Sequence, residues 1–304
     1  MVTLMEVMIC ITGGAQLELP ATTFFNALGS LEVSRKMRTI RRSMSHTQVM
    51  WKWRTFLQDI MRPQMEALFY QYETDILWCD IGGPTVFPDI APMWFNWAKS
   101  NGRHVIANAR CGANYSDFDN PEYTDTTHLK MRKWESSEVS DPYSYGYNQD
   151  TPDENYRNST YILHSFIDIV SKNGNYLIDI GPTANGTIVS PSRTSLLKVG
   201  EWLMGEAIYD TQYWYVTAEE GDLRFTTKSD AFHMISLSYP TDGVLRSISP
   251  LPLKDGDIAT FLGPSQSQKE LTWSWSENRV FELFVDEEEL AMVQDAWAFK
   301  IRYT

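Results

Sequence analysis

The residues best suited to chemistry close an apolar, strand-like run, Asp75–Asp80, that ends on a carboxylate. Side chains alternate along a strand, so Trp78 points the same way as Asp80. If the run belongs to a parallel sheet, Asp80 lies at the carboxyl-terminal edge, where barrel enzymes keep their active sites. An aspartate at a strand end more often only caps a loop or forms a turn, so the pattern alone leaves a structural and a catalytic interpretation open.

Other candidates follow in loops and on short strands. Glu122 stands in the sequence Asp-Asn-Pro-Glu-Tyr, and Glu135 follows Lys-Trp on a short predicted strand. Most glutamates are solvated loop acids, which is the ordinary interpretation of both. Arg110 follows a strand, and its guanidinium fork could fix two oxygens in one plane. Tyr145, in Ser-Tyr-Gly-Tyr, could pack in the core or contact a ligand.

Hydrophobic spacing predicts the elements that must position these residues. Helix-like and strand-like pieces alternate from residue 51 onward, which indicates an α/β fold with a parallel sheet and crossover helices. The predicted helices are Phe56–Tyr72, Ile90–Lys99, Tyr161–Ser171 and Pro191–Tyr209, and the predicted strands are Asp75–Asp80, Val105–Ala109, a short one at Trp134-Glu135, and Tyr176–Ile180.

The stretch from Ser171 to Ile188 is the clearest of these units. A Lys-Asn-Gly helix stop is followed at once by the apolar strand Tyr176–Ile180, and then by a loop that begins Gly-Pro. A helix stop followed by a buried-type strand is an αβ unit. The loop after Ile180 therefore lies at the same sheet edge as Asp80.

The pattern changes after Trp214, where short alternating runs are separated by turn sequences such as Pro-Thr-Asp-Gly. This pattern predicts an antiparallel β domain, a sandwich. The predicted strands are Leu223–Thr226, Ala231–Leu237, Leu271–Trp275 and Val280–Val285. The sequence thus divides into an N-terminal segment 1–50, an α/β domain 51–214 and a β domain 215–304.

Composition narrows the function classes. A net charge of −13 over 304 residues disfavours nucleic acid and anionic membranes as partners, and no apolar run is long enough to span a bilayer. Three cysteines are too few and too scattered for a disulfide framework or a metal site, and the five histidines lack metal-ligand spacing. We expect neither metal nor cofactor. An aromatic content of 13% suits a carbohydrate-binding protein or a large β-rich core.

From Phe56 to Thr304 the sequence resembles the α-L-fucosidase family of retaining glycoside hydrolases, in its fungal form. The resemblance is carried, in the same order along the chain, by Arg62-Pro-Gln-Met-Glu66, Trp78-Cys-Asp80, Ile81-Gly-Gly-Pro84, Asn108-Ala-Arg110-Cys-Gly112, Pro121-Glu-Tyr123, Trp134-Glu135, Ser144-Tyr-Gly-Tyr147, the Asn-Gly-Asn strand and Gly205-Glu-Ala-Ile-Tyr209.

The resemblance implies hydrolysis of terminal L-fucose from glycans through a covalent fucosyl-enzyme. Asp80 matches the family's nucleophile. Glu122 and Glu135 each match a residue that serves as the acid/base in some members of the family. The retained Pro-Glu-Tyr sequence favours Glu122. Trp78, Arg110 and Tyr145 match positions that contact fucose, although Ala109 replaces the family's usual aspartate.

The N-terminal segment departs from the family. Residues 1–50 match none of its early motifs and are too short to encode three βα units. The resemblance therefore implies the second half of a TIM-type β/α barrel, N-terminally truncated relative to the family, followed by a β-sandwich. A half barrel has an open strand edge, which a second copy or another partner would cover. The departure leaves a second interpretation open: a catalytically impaired relative of the fucosidases that acts at most as a carbohydrate-binding or structural module.

The family also implies an extracellular, lysosomal or vacuole-like location. Glycosylation sequons at Asn114, Asn158 and Asn185 agree with a secretory route. The first residues lack a basic region and carry Glu6, so they predict no convincing signal peptide.

Overall fold

A computed structural model describes residues 56–80, 85–123, 128–203, 206–263 and 269–304, together with the backbone of 7–11. Most of the segment 1–50 and the predicted loop at residues 81–84 lie outside this part of the chain. The chain divides into two compact units, one formed by Gln16–Asp119 and the other by Met1–Ala15 with Asn120–Thr304.

Helices and strands alternate in the first part of the chain, and strands dominate the second. No helix in the described ranges is long and apolar enough to cross a bilayer. The strands are β1 (Val7–Ile11), β2 (Ile76–Leu77), β3 (Ile106–Ala107), β4 (Trp134–Val139), β5 (Gly174–Ile180), β6 (Gln212–Tyr213), β7 (Glu219–Glu220), β8 (Leu223–Thr227), β9 (Ala231–Ser236), β10 (Val244–Ser247), β11 (Ile258–Phe261), β12 (Glu270–Leu271), β13 (Trp273–Trp275), β14 (Phe281–Phe284) and β15 (Trp297–Arg302). The helices are α1 (Arg62–Glu66), α2 (Phe87–Ser100), α3 (Ser159–Ser171), α4 (Ser190–Leu203) and α5 (Glu287–Leu290).

The unit Gln16–Asp119 is organised around an aromatic core. The helical segment predicted over Phe56–Tyr72 forms, with α1 flanked by π-helical turns at Leu57–Met61 and Ala67–Gln71. It packs on α2 through the stacked rings of Phe69 and Trp94, whose centroids are 4.2 Å apart. Beside this core, β2 and β3 pair in parallel.

Strands β2 and β3 are much shorter than the sequence predicts. Each strand has only two paired residues: Ile76 pairs with Ile106, and Leu77 pairs with Ala107. Beyond them the ladder gives way to a side chain, because Asn108 bonds both backbone groups of Cys79: its Oδ1 accepts from the Cys79 N–H (3.0 Å) and its Nδ2 donates to the Cys79 carbonyl (2.8 Å). The Cys79 backbone is thus paired by an amide side chain instead of by a neighbouring strand.

The other unit begins with a three-stranded sheet in the order β1-β5-β4. The parallel pairing of β4 with β5, from Trp134 opposite Gly174 to Val139 opposite Asp179, agrees with the predicted crossover through α3. The antiparallel pairing of β1 with β5 was not predicted, because no strand was expected in residues 1–50. The run Val7–Ile11 is wholly apolar or sulfur-containing, a composition that suits a buried strand.

The C-terminal strands form two antiparallel sheets, in the orders β12-β11-β15-β9-β8-β6 and β10-β14-β13, with β7 beside β8. Aromatic residues fill the space between them, including Phe225, Phe232, Phe281 and Phe299. The opposite face of β9 and β15 shares a second core with α3, through Ile235, Ala296 and Ala298. This β region and α3 therefore share one hydrophobic cluster.

The helix predicted over Pro191–Tyr209 is shorter at its carboxyl-terminal end. Helix α4 is described as far as Leu203, and residues 206–210 form turns. Ala207 and Ile208 are buried, and the Thr226 hydroxyl donates to the Ala207 carbonyl at 2.6 Å. The chain here follows strand β8, because tertiary contacts replace the helical hydrogen bonds.

Candidate functional site

The first group of candidate residues lies beyond the paired ends of β2 and β3. Because these strands are parallel, equivalent positions leave the sheet in the same direction. Asp80 and Arg110 are thirty residues apart, the same offset that separates Ile76 from its partner Ile106. The Arg110 Nη1 donates to the Asp80 Oδ1 at 3.0 Å.

Trp78 completes this group, which we call the Asp80 cluster (Trp78, Asp80 and Arg110). The Arg110 guanidinium lies 5.9 Å from the centroid of the Trp78 ring, within cation–π range. The sequence predicted all three residues as site residues on separate grounds, and the structure brings them together within one unit.

The Asp80 cluster is open to solvent. The Asp80 side chain is 51% exposed and that of Arg110 22% exposed. An ion pair in such a setting contributes little to stability, since water screens it. Its carboxylate and guanidinium are accessible to an incoming polar ligand, which is what a carboxylate that must attack, or a fork that must hold hydroxyls, requires.

Two links, neither of them predicted from the sequence, hold the backbone of the Asp80 cluster. Asn108, which is buried, binds Cys79 through its side-chain amide as described above. A disulfide joins Cys79 to Cys111, with the two Cα atoms 5.0 Å apart. The cysteine count argued against a disulfide framework, and the structure nevertheless contains this one disulfide. The parallel offset of β2 and β3 explains it, because it brings two distant cysteines side by side.

The second group surrounds Glu122, which belongs to the other unit. The Ser137 N–H donates to the Pro121 carbonyl at 3.2 Å, and the Tyr123 N–H donates to the Ser137 carbonyl at 3.1 Å. Glu122 is thus fixed as an isolated parallel bridge beside the carboxyl-terminal half of β4, with its side chain exposed.

Tyr123 gives this loop a strained backbone. Its φ is 47°, in the left-handed region that residues with a side chain seldom occupy. Its ring meets the Tyr145 ring edge to face, with centroids 5.5 Å apart. Strain of this kind clusters at functional sites, so it supports a functional role for the Glu122 loop.

Tyr145 lies against this loop and is partly buried. Burial raises the pKa of its phenol, and the neighbouring Tyr123 hydroxyl and the charge of Glu122 raise it further. The phenol is therefore neutral at physiological pH. We call Glu122, Tyr123 and Tyr145 the Glu122 cluster.

A glycine fixes the backbone next to Tyr145. A Cβ added at Gly181, directly after β5, would lie 2.2 Å from the Tyr147 nitrogen and 2.5 Å from the Gly146 carbonyl carbon. Only a residue without a side chain allows the two segments to approach this closely. The end of β5 thus sets the position of the loop that carries Tyr145.

Glu135 lies in a different environment from Glu122. It is buried near the amino-terminal end of β4, and its Oε2 accepts a hydrogen bond from Asn175 Nδ2 at 2.7 Å. Strand β4 presents Trp134 to the core that includes α3, so Glu135, the next residue, points to the opposite face.

The sequence did not predict a role for the buried acid Glu138, three residues further along β4. It pairs with Arg157 at 2.8 Å and accepts from the Tyr176 hydroxyl at 3.3 Å. Because Glu138 is buried and binds both Arg157 and Tyr176, we assign it a structural role in the sheet. Among the described residues, no group of three or more histidines, cysteines or acids is arranged to hold a metal ion.

Comparison with known proteins agrees with the motifs. The sequence profile of the α-L-fucosidase family matches residues 28–207. The tissue α-L-fucosidase of Bos taurus is 30% identical over 273 residues, which cover 81% of this chain and 57% of that protein.

Two solved structures resemble the fold. One is an α-L-fucosidase with 28% sequence identity and a TM-score of 0.70, covering 81% of this chain and 56% of the other. The second is the Thermotoga maritima α-fucosidase in complex with a mechanism-based inhibitor, with 26% identity, a TM-score of 0.69, and coverage of 82% and 57%. The chain thus spans a little over half the length of the relatives it matches.

Proposed function

Because the chain belongs to the α-L-fucosidase family, we propose that it removes terminal L-fucose from glycans with retention of configuration, with Asp80 as nucleophile and Glu122 as acid/base. The observation that carries the proposal is the Asp80–Arg110 pair. An accessible carboxylate beyond the paired end of a parallel strand is held there by a guanidinium from the turn that follows the next strand.

In the first step Asp80 attacks the anomeric carbon of fucose and displaces the leaving oxygen. Glu122, as the carboxylic acid, gives its proton to that oxygen, and the aglycone departs as an alcohol. The product is a fucosyl ester of Asp80 with inverted configuration at the anomeric carbon. Spreading the barrier over two displacements is the advantage of covalent catalysis.

In the second step Glu122, now a carboxylate, takes a proton from water as the water attacks the same carbon. The ester bond breaks, Asp80 is released as a carboxylate, and the second inversion restores the original configuration. This mechanism requires the two carboxyl groups to stand about 5–5.5 Å apart when substrate is bound.

The remaining site residues bind the sugar in this proposal. Arg110 can exchange its exposed contact with Asp80 for fucose hydroxyls, because its fork donates to two oxygens in one plane. Trp78 and Tyr145 offer aromatic faces to the apolar side of fucose and its methyl group. The neutral phenol of Tyr145 adds no charge to such a contact.

Glu122 is preferred to Glu135 as acid/base on two observations. The Glu122 side chain is exposed next to the strained Tyr123, whereas Glu135 is buried and accepts from Asn175. An acid/base must exchange protons with water in the second step, which suits an accessible carboxyl group. Glu135 also lies near the amino-terminal end of β4, and barrel enzymes use the carboxyl-terminal ends.

We also propose that residues 51–214 form the second half of a TIM-type barrel, with residues 215–304 as a β-sandwich. Successive parallel pairings support this arrangement: β2 with β3, Asn108 with Phe118, Glu122 with Ser137, and β4 with β5. We propose further that a second copy or another partner covers the edge of β2.

A secretory location, extracellular or lysosomal, accompanies this function. Asn114, Asn158 and Asn185 are exposed, as glycosylated asparagines must be. The Cys79–Cys111 disulfide is typical of proteins that fold in an oxidising compartment.

The first test is release of 4-nitrophenol from 4-nitrophenyl α-L-fucoside by the purified chain, its Asp80→Asn variant and an Asp89→Asn control. Asp89 is an exposed acid in the first turn of α2 and is not one of the proposed site residues. We expect Asp80→Asn to lower turnover by at least about a thousandfold, as loss of a nucleophile does, and Asp89→Asn to leave it unchanged.

Equal turnover in all three proteins would contradict the proposal, because the activity would not depend on Asp80. No turnover in any of them would indicate a fucosidase relative that binds glycans without hydrolysing them, or one that needs a partner chain. NMR of the first-formed anomer tests the stereochemistry, and an inverted product would exclude the covalent mechanism.

A further inference from the structure

The disulfide of the first unit has a placement that the proposed mechanism does not use. Cys79 directly precedes Asp80, and Cys111 directly follows Arg110. The bond between them therefore links the two backbone segments that carry the proposed nucleophile and its guanidinium partner. Cys111 is buried, so the link lies beneath the exposed ion pair.

The backbone pairing of β2 with β3 beside this link is short. Each strand contributes two paired residues. Between the strands, the Ile106 N–H donates to the Asp75 carbonyl (2.9 Å) and the Asn108 N–H donates to the Leu77 carbonyl (3.3 Å). The Asp80 side chain is half exposed, so its ion pair with Arg110 is weak. A pair of two-residue strands followed by exposed side chains needs another constraint to hold the geometry that covalent catalysis demands.

We propose that the Cys79–Cys111 disulfide positions Asp80 against Arg110, so that the candidate site is assembled only in the oxidised chain. The inference rests on the proposed function and extends it. Cys79 and Cys111 act as positioning residues, since they act through their neighbours and need not touch the substrate. Asn108 assists by fixing the Cys79 backbone on both sides.

The same link makes the site sensitive to reduction. A dithiol such as dithiothreitol would transfer two electrons and two protons to the disulfide, yielding the two cysteine thiols and a cyclic oxidised dithiothreitol. Attack on the Cys111 sulfur needs local opening of the backbone, because Cys111 is 2% exposed, whereas Cys79 is only partly buried. The rate of reduction therefore depends on access to each sulfur as well as on the bond itself. Substitution is therefore a cleaner test than reduction.

The test compares the native chain with Cys79→Ser/Cys111→Ser, using Cys10→Ser as the control that loses a cysteine outside the disulfide. Each protein is treated with a 2-fluorinated fucosyl fluoride, and the covalent adduct is followed by intact-protein mass spectrometry. Fluoride needs little protonation to leave, so the rate of labelling reports on the nucleophile and not on the acid.

We expect the double variant to be labelled at least about tenfold more slowly than the native chain, because a small displacement of a nucleophile is costly. Cys10→Ser should keep the native rate. Circular dichroism and the unfolding midpoint, measured under the labelling conditions, identify the folded fraction, to which each rate is normalised. A normalised rate within a factor of two of the native rate would overturn the proposal.

Separate measurement of kcat and KM distinguishes a positioning role from a simple loss of folded protein. Displacement of Asp80 lowers kcat for 4-nitrophenyl α-L-fucoside in the folded fraction, whereas partial unfolding only lowers the concentration of active protein. An unchanged kcat per folded molecule would contradict a positioning role.

If the native chain is not labelled at all, the proposed function fails and the disulfide is still testable. The unfolding midpoints of Asp80→Asn, Arg110→Gln and the combined variant are then measured with and without the disulfide. We expect the two substitutions to be non-additive in the disulfide-bonded chain and additive in the serine background. Equal coupling in both backgrounds, or none in either, would show that the disulfide does not hold this pair.

Discussion

The acids of the two compact units are held in opposite ways. In the unit Gln16–Asp119, Asp80 is half exposed after a two-residue strand, and the described residues give it one charged partner, Arg110. In the other unit, Asp168 is largely buried on α3 and pairs with both Lys172 and Arg224. The first acid is available to a ligand, and the second is committed to its neighbours.

Glu220 on β7 is an even more fully occupied acid. It accepts from the Ser247 hydroxyl (2.6 Å), the Ile248 N–H (2.7 Å), the Ser249 N–H (3.0 Å) and the Ser249 hydroxyl. Burial raises the pKa of Glu220, but these hydrogen bonds outweigh it and leave the pKa below its ordinary value. Glu220 is thus a structural acid with filled carboxylate oxygens. Burial separates the other two candidates, since Glu135 is buried and the Glu122 side chain is exposed.

The largest expected effect concerns those two glutamates. We expect Glu122→Gln to lower kcat/KM for a fucoside with a poor leaving group by about 10²–10⁴, the usual contribution of general acid catalysis. The matched Glu135→Gln should keep activity within about tenfold, because its buried amide can still bond Asn175. A larger loss of activity in Glu135→Gln than in Glu122→Gln would contradict this assignment and would indicate Glu135 as the acid/base.

The second effect is on stability and concerns Asp168, the buried acid that pairs with two cations. Asp168→Asn should lower the free energy of unfolding by about 3–5 kcal/mol, because it leaves buried cations without their shared carboxylate. Lys172 and Arg224 keep a weaker alternative in Glu219, at 2.9 Å and 3.5 Å. Urea unfolding followed by tryptophan fluorescence measures the change.

The matched control for Asp168 is Asp242→Asn, in the turn that precedes β10. Asp242 also pairs with an arginine, Arg246, but both side chains are about half exposed. We expect no measurable loss of stability there. Similar losses in both variants would mean that burial does not distinguish these pairs.

The third effect is a pH dependence set by a buried histidine. His233 on β9 is fully buried, and burial lowers its pKa to about 4, assisted by Lys228 and Lys300 and opposed by Glu206 and Asp230. The unfolded chain binds this proton near pH 6.5 and the folded chain only near pH 4, so folding stability falls as the pH decreases between these values. The total loss is about 3 kcal/mol.

A pH series of urea unfolding for the native chain and His233→Gln measures this contribution. The difference in unfolding free energy between the two proteins should shrink as the pH falls from 7 to 4. A difference that is independent of pH would show that His233 does not stay neutral in the folded chain.

The smallest effect is expected at Tyr145. Tyr145→Phe keeps the ring that faces the proposed sugar and removes only the phenol hydroxyl. We expect kcat/KM for 4-nitrophenyl α-L-fucoside to fall by less than about tenfold, whereas Tyr145→Ala, which removes the ring, should cost more. Equal losses in both variants would show that the hydroxyl, and not the ring, carries the contribution.

Periodicity predicted the long elements well. The run Ser159–Ser171 forms a helix and Gly174–Ile180 a strand, within a few residues of the prediction, because both are apolar over several turns or pairs. The β strands after residue 214 also lie close to their predicted places. Boundaries set by tertiary contacts were missed, as at the end of α4, where residues 206–210 follow the neighbouring sheet.

The Asp80 cluster shows where prediction from sequence stops. Strand-end position and motif identified Asp80 and Arg110, but neither predicts that a side chain, Asn108, replaces the ladder at Cys79. The disulfide was missed because its formation depends on the register between two strands, which cysteine spacing does not reveal. The pairing of β1 with β5 joins distant parts of the chain and leaves no local signal.

Gly181 has a consequence for how this protein can vary. Its contact with Gly146 and Tyr147 is between backbones, so a compensating side-chain change elsewhere cannot make room for a Cβ. We expect sequence drift to be tolerated at Tyr145 itself, where one aromatic can replace another, but not at the glycine beneath its loop. The residue that we propose to contact the sugar can therefore diverge among descendants, while the glycine that positions its loop stays unchanged.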